Sequence, residues 1–267
     1  MNGVDAGAAA KEDLALTTTA LTRRFGAQVA VDALDLRVPA GSFYGFLGPN
    51  GAGKSTTINI LTGVLAAASG RATVLGLDLG RDALEVKRRI GVVPDGLALF
   101  ERLTGEEHLR FVGRVYGLDA PTAAARAHEL LEAMDLTADA RKLVAGYSHG
   151  MRKKLALSCA LIHNPRLLFL DEPFEGIDAV ATKGIRDLLA RLVRSGHTTV
   201  FLTSHVLEVV ERLCTHVGII NRGRLVAQGS LSDLQGSTAN GAETLEDLFL
   251  RLVGEDRSEP ATLGWLG

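Results

Sequence analysis

The octapeptide Gly48-Pro49-Asn50-Gly51-Ala52-Gly53-Lys54-Ser55 satisfies G-x-x-x-x-G-K-[ST] at every fixed position. No other stretch constrains the fold as much, because the pattern works in one setting only: a strand delivers the loop and a helix leaves it. Both are legible. Ser42–Leu47 is short, aromatic and apolar, which predicts a strand, and Lys54–Leu65 carries a helical pattern. Glycines let successive backbone N–H groups wrap a phosphate with no bulky side chain in the way. The helix aims the positive end of its dipole at the same anion. Lys54 is then placed to reach the β- and γ-phosphates of a nucleoside triphosphate such as ATP, and Ser55 to hold Mg²⁺. Thr56, one position further along, is placed for the α-phosphate.

The rest of the chain supplies a scaffold for such a loop. Leu14–Leu21 and Val29–Val38 precede it. In the second run Val29, Val31, Leu34, Leu36 and Val38 fall mostly at period two, the pattern of a half-buried strand. Pro39-Ala40-Gly41 follows as a turn. These two strands are expected to lie antiparallel in a side sheet. Further strands are expected at Arg71–Leu75, Ile90–Val93, Leu167–Leu170, Thr198–Leu202 and Val217–Ile220. Helices are expected at Val180–Arg194 and Val206–Leu213, and Asn221-Arg222-Gly223 reads as a tight turn between two strands. Over about residues 104–146 no strand signal interrupts the helical pattern, which predicts a helical lobe. The fold class is therefore α/β: a P-loop NTPase core with a mostly parallel sheet, an antiparallel β side sheet and a helical lobe.

A chain of 267 residues suits one large domain. We read 1–12 as a loose N-terminal end and 13–235 as the core. Residues 236–267 read as a C-terminal extension with a short helix, a polar break at Gly236–Glu243 and a ragged tail from Glu255. Lys and Arg number 29 against 31 Asp and Glu, a formal net charge of −2. That balance lacks the basic excess of a nucleic-acid binder, so no nucleic-acid partner is expected. Cys159 and Cys214 are too few for a disulfide framework and read as buried thiols. No run approaches the ~18 apolar residues a spanning helix needs. The start of the chain carries Asp5, Glu12 and Asp13 where a secretory signal has a basic start and an apolar stretch. A cytoplasmic location is expected, with any membrane reached through a partner.

Two more segments carry chemistry. Leu167-Leu168-Phe169-Leu170-Asp171-Glu172 is an apolar strand ending in two acids. Asp171 is placed for the Mg²⁺ shell, and Glu172 to polarise an attacking water. Tyr147-Ser148-His149-Gly150-Met151 stands just before the helix that leads into that strand. Ser148 suits an N-cap, and the helix start makes a second anion site.

With these motifs in this order, residues Leu14 to Gly254 resemble an ATP-binding cassette (ABC) ATPase subunit, of the type found in bacterial exporters of drugs, polysaccharides and lipids. The family's signature resembles Tyr147–Met151, with Ser148 and Gly150 at its nucleotide-contacting positions and His149 where the family has glycine. Its D-loop resembles Gly176-Ile177-Asp178, its switch histidine His205 in Thr203-Ser204-His205, and its adenine-stacking aromatic Phe25 in Arg24-Phe25-Gly26. Where the family has a Gln after the strand Ile90–Val93, this chain has Asp95. The resemblance implies that this position touches the metal and couples to a membrane subunit. Asp95 is shorter and charged, so a contact to Mg²⁺ runs through water.

The resemblance also implies partners. Two ATPase subunits, either two copies of this chain or one with a paralogous subunit, sandwich two ATP molecules, with Ser148, Gly150 and Asp178 at the interface. Separate transmembrane permease subunits carry the cargo and hold the ATPase on the cytoplasmic face of the cell membrane. The helical lobe and the loop Asp95–Arg102, with Leu97, Leu99 and Phe100, are the expected docking surface. The segment Leu245–Leu250 resembles a helix common among exporters, which favours export. The competing reading is an ABC ATPase without a transport role, regulatory or acting on nucleic acid. Against it stand the missing coiled coil between loop and signature and the single phosphate loop. A GTPase is disfavoured because no N-K-x-D motif occurs, and a pure sensor because it needs neither Glu172 nor His205.

Overall fold

The computed structural model describes residues 13–236 and 244–254. The loose end 1–12, the polar break over 237–243 and the tail from Glu255 lie outside the described residues. Four strands come first: β1 (Leu14–Phe25), β2 (Gln28–Leu34), β3 (Arg37–Pro39) and β4 (Phe43–Leu47). The phosphate loop leads from β4 into α1 (Lys54–Leu61), followed by β5 (Ser69–Val74), β6 (Leu77–Asp78), α2 (Ala83–Arg89) and β7 (Ile90–Val93). The helical lobe holds α3 (Gly105–Val115) and α4 (Ala120–Ala133). Then come α5 (His149–Leu161), β8 (Leu167–Asp171), α6 (Ala179–Arg194), β9 (Thr199–Ser204), α7 (Leu207–Leu213), β10 (His216–Asn221) and β11 (Arg224–Ser230). Helices α8 (Leu231–Gly236) and α9 (Leu245–Val253) end the described chain.

The main sheet has the order β11-β10-β4-β9-β8-β7. Its inner pairs are parallel, and only β11 runs antiparallel, on β10. The strands β4, β8 and β9 are buried along their whole length. A parallel strand covered on both faces needs such a continuous apolar run. Alternate residues still serve different cores. Phe43, Leu47, Leu168, Leu170, Val200 and Leu202 face the helices, while Tyr44, Phe46, Phe169 and Phe201 face the side sheet. The Phe201 ring lies 5.4–5.5 Å, centroid to centroid, from Tyr44, Phe46 and Phe169.

The side sheet has the order β2-β1-β5-β6, with β3 also paired to β1, all antiparallel. The run Val29–Val38, expected as one strand, is two. Ala33 takes a left-handed φ of 46°, and the Asp35 carboxylate accepts a 2.6 Å bond from the Ala20 N–H, itself at φ 48°. These two departures kink the hairpin, so β2 and β3 pair with different parts of β1. α1 stops at Leu61, short of the expected Leu65, because Gly63 turns the chain at φ 68°. Helix α2 was not expected: it is short and buries only Val86, too little for a periodic signal.

In the lobe, α3 starts with a capping box. Thr104 Oγ1 accepts from the Glu107 N–H, and Glu107 Oε2 accepts from the Thr104 N–H. Leu97 and Leu99, expected on an exposed surface, are half-buried and pack on the main core. Phe100, Phe111, Val115, Tyr116 and Leu143 are the large exposed apolar residues there. Helix α9 buries Leu245 and Leu248 in that same core. Cys214 meets the expectation of burial, whereas Cys159 is half-buried, with desolvation pushing its thiol up to about 12. No described helix is long and apolar enough to cross a membrane.

Candidate active site

The phosphate loop is held by two close approaches. A Cβ on Gly48 would collide with the Ile220 carbonyl oxygen, and one on Gly53 with that of Ala30. Gly53 also has φ 108°, which side chains disfavour, so no other residue fits there. The loop is thus pinned between β10 and β2. Gly51, at φ 79°, faces open space. Ala52 is buried, and its N–H donates 3.1 Å to the Pro49 carbonyl.

Lys54 opens α1 and is only 7% exposed. Its Nζ donates to the Gly48 carbonyl at 2.7 Å and stands 3.5 Å from Glu172 Oε1. The other carboxylate oxygen of Glu172 lies 3.1 Å from His205 Nδ1. A strand end and a turn place these partners. β8 pairs with β9 in parallel, so Asp171 faces Thr203. Thr203 Oγ1 donates 2.6 Å to Asp171 Oδ1 and accepts 3.0 Å from the Glu172 N–H. Two residues on, the Val206 N–H donates to Ser204 Oγ, and this small turn presents His205.

These groups share a cleft of about 510 Å³. The phosphate loop lines it with Pro49, Asn50, Gly51, Gly53, Lys54, Ser55 and Thr56; Asp95, Glu172 and His205 line it from the main sheet's strand ends, and Phe25, Gln28 and Ala30 from the β1–β2 hairpin. Asp171 is buried behind Glu172 rather than in the wall. Phe25 is about half exposed, and the Arg23 guanidinium covers its ring at 4.8 Å.

Ser148, Gly150 and Asp178 do not line this cleft. Ser148 is the exposed N-cap of α5, its hydroxyl accepting 3.2 Å from the Met151 N–H. Beside it, a Cβ on Gly176 would stand 3.2 Å from the His149 ring and one on Gly150 3.7 Å from Ile177. The segments around Ser148 and Asp178 therefore adjoin each other.

Sequence reasoning missed Gln28, Ala30, Glu175, Thr203 and Lys153. Glu175 follows Glu172 by three residues and lines the cleft, a signal available in Asp-Glu-Pro-Phe-Glu. Gln28 pairs directly with Phe25 across the hairpin, which needs the register to be known. Lys153 is 4% exposed and donates 2.7 Å to the Glu172 carbonyl. Burial pushes its ammonium down, while the charges of Glu175, Asp95, Glu172 and Asp171 push it back up. The arrangement gives an anion cradle, one lysine beside it, and a carboxylate aimed into the cleft between two basic groups. That is machinery for binding a triphosphate and activating water at its end.

Comparison with known proteins gives the family. The profile described as "ABC transporter" matches residues 31–175. A daunorubicin resistance ATP-binding protein of Streptomyces coeruleorubidus is 41% identical over 243 residues, 91% of this chain and 76% of that protein. A linearmycin resistance ATP-binding protein of Bacillus subtilis is 37% identical over 235 residues, 88% of this chain and 75% of that one. A solved structure of the ATP binding subunit of an ABC transporter superposes with a TM-score of 0.82 at 30% identity, covering 89% of this chain and 98% of that chain. The chain belongs to the ABC transporter family, as an ATP-binding and ATP-hydrolysing subunit.

Proposed function

We propose that the subunit drives an exporter, with Glu172 as the base that activates water and His205 as the residue that orients it. The observation that carries the reading is the Glu172 carboxylate, held 3.5 Å from Lys54 Nζ and 3.1 Å from His205 Nδ1 at the mouth of the phosphate loop. Lys54 neutralises the β- and γ-phosphates, the loop N–H groups hold them, and Phe25 stacks on adenine. Glu172 takes a proton from the water as its oxygen attacks the γ-phosphorus, and the bond to the ADP oxygen breaks.

The donors fit Mg²⁺. Ser55, Asp171 and, through water, Asp95 offer oxygen only, as a hard cation requires. Among the described residues no group of three His, Cys, Asp or Glu side chains is placed to hold a metal. Mg²⁺ keeps several waters and takes substrate phosphate oxygens, and when bound it would supply charge neutralisation.

One chain contacts the triphosphate from one side. The exposed start of α5 at Ser148 offers the missing donors, so a second copy or a paralogous subunit, turned head to tail, completes each site with Ser148 and Gly150. Asp178 lies at that interface. Residues 13–235 form the ATPase domain, with 236–267 as its extension. The exposed apolar side chains of this lobe, Phe100 edge-on to Phe111 together with Val115, Tyr116 and Leu143, are what transmembrane permease subunits dock on, at the cytoplasmic face of the membrane. The two relatives named for drug resistance support export, and the permease selects the cargo.

The test is Glu172→Gln, which keeps shape and hydrogen bonding but removes the base. MgATP affinity stays within about twofold while turnover falls on the order of a hundredfold or more. Turnover at the parental rate would move the base elsewhere.

A further inference from the structure

We infer that Lys153 is a positioning residue for Glu172, its buried ammonium holding the backbone conformation that aims the carboxylate into the cleft. The inference rests on the reading of Glu172 as the base. It starts from a conformational problem. Glu172 has φ 46°, a left-handed backbone that a glutamate adopts only when its surroundings impose it. Both of its peptide groups are held. The N–H donates 3.0 Å to Thr203 Oγ1, and the carbonyl accepts 2.7 Å from Lys153 Nζ. A longer 3.3 Å bond from the Glu175 N–H reaches the same carbonyl.

Lys153 is an unusual means to this end. A lysine only 4% exposed loses hydration that a single neutral carbonyl does not replace. The surrounding acids Glu175, Asp95, Glu172 and Asp171 supply the rest, so the cation sits under the acidic wall of the cleft. A leucine or methionine would pack α5 against β8 without that desolvation. The polar choice at this position matches a need for a donor to Glu172.

Lys153 also lies on a rigid element. It is five residues from Ser148, on the first turns of α5, about 7.5 Å along the helix. The helix that presents Ser148 to a second copy therefore grips the Glu172 peptide directly. A shift of α5 on closure is felt at Glu172 through a single hydrogen bond.

Steady-state ATPase of the full chain tests this. Lys153→Met keeps the length and packing but removes the donor. It lowers kcat on the order of tenfold or more and leaves KM for ATP within about threefold. Lys153→Arg, which keeps a cation and donors, restores kcat to within about threefold of the parent. In the Glu172→Gln background, Lys153→Met has no further effect, because the carboxylate it positions is gone. If the Met variant does not fold, Lys153→Gln is read instead: one bond shorter, it misses the carbonyl and lowers kcat with KM unchanged. Unchanged kcat in these variants, or equal losses in kcat for Met and Arg, overturns the inference while Glu172→Gln remains inactive. Parental turnover in Glu172→Gln alone overturns the base reading itself.

Discussion

The cleft and the start of helix α5 differ sharply. In the cleft, Lys54 and Asp171 are buried and Glu172 is partly buried, and each is tied by bonds of 2.6–3.5 Å to the loop, to β9 or to His205. At the start of α5, Ser148 and His149 stand exposed, with one capping bond between Ser148 and Met151. Both regions present anion-binding groups. The first is pre-organised by its own chain, which fixed donors need if they are to stabilise charge without reorganising. The second has its donors facing outward, as expected if the anion it meets belongs to another subunit. A single chain thus places Lys54 and Glu172 in the cleft and Ser148 outside it, and the proposed dimer is what would bring the two regions to one ATP.

Substitutions can break that contrast, beginning with the largest effect. Lys54→Ala removes the one cation on the loop and abolishes ATP binding; a fluorescent ATP analogue titrated at fixed Mg²⁺ reads it, and affinity within about twofold of the parent would defeat the loop assignment. Ser148→Arg is the opposite case. It leaves binding to the single chain intact and stops hydrolysis, because bulk and charge enter only the outward-facing half. Mixing the two inactive proteins sharpens the comparison: one composite site of a mixed dimer carries both defects and the other neither. Measurable ATPase on mixing shows completion across subunits.

Asp95→Gln has the smallest effect. Asp95 is exposed after β7 and lines the same cleft as Glu172 and Glu175, so it adds like charge there. The isolated subunit keeps its hydrolysis within about threefold, or gains slightly, as a neutral amide lowers that repulsion. With the membrane subunits in lipid, the same change alters how strongly cargo stimulates hydrolysis. A loss of about a hundredfold in the isolated subunit would instead make Asp95 a direct ligand of the metal or the water.

The same contrast explains what the sequence could show. The loop, β4 and α1 were legible because one spacing rule demands all three, and Asp171-Glu172 because the acids close an apolar strand. The order of motifs singled out Ser148 and His205, of which His205 lines the cleft and Ser148 does not. Thr203, Lys153 and Gln28 were not legible, since each acts through a tertiary contact: a strand register, a helix packed on a strand, a hairpin pairing. The kink at Ala33 was hidden for a related reason. Period-two apolar residues run straight through it, and only the φ of 46° and the neighbouring Asp35 to Ala20 bond mark the break. Leu97 and Leu99 were apolar for the core's sake, so apolarity alone misplaced them on a docking surface.

The most direct test of the composite site is the mass of the protein in solution with and without ATP. Glu172→Gln binds ATP without consuming it, so light scattering should find a monomer without nucleotide and a dimer with it. Adding Ser148→Arg in the same background should leave ATP affinity unchanged and the protein monomeric at every ATP concentration. A double variant that still dimerises with ATP would show that the start of α5 is not where the second subunit closes the site.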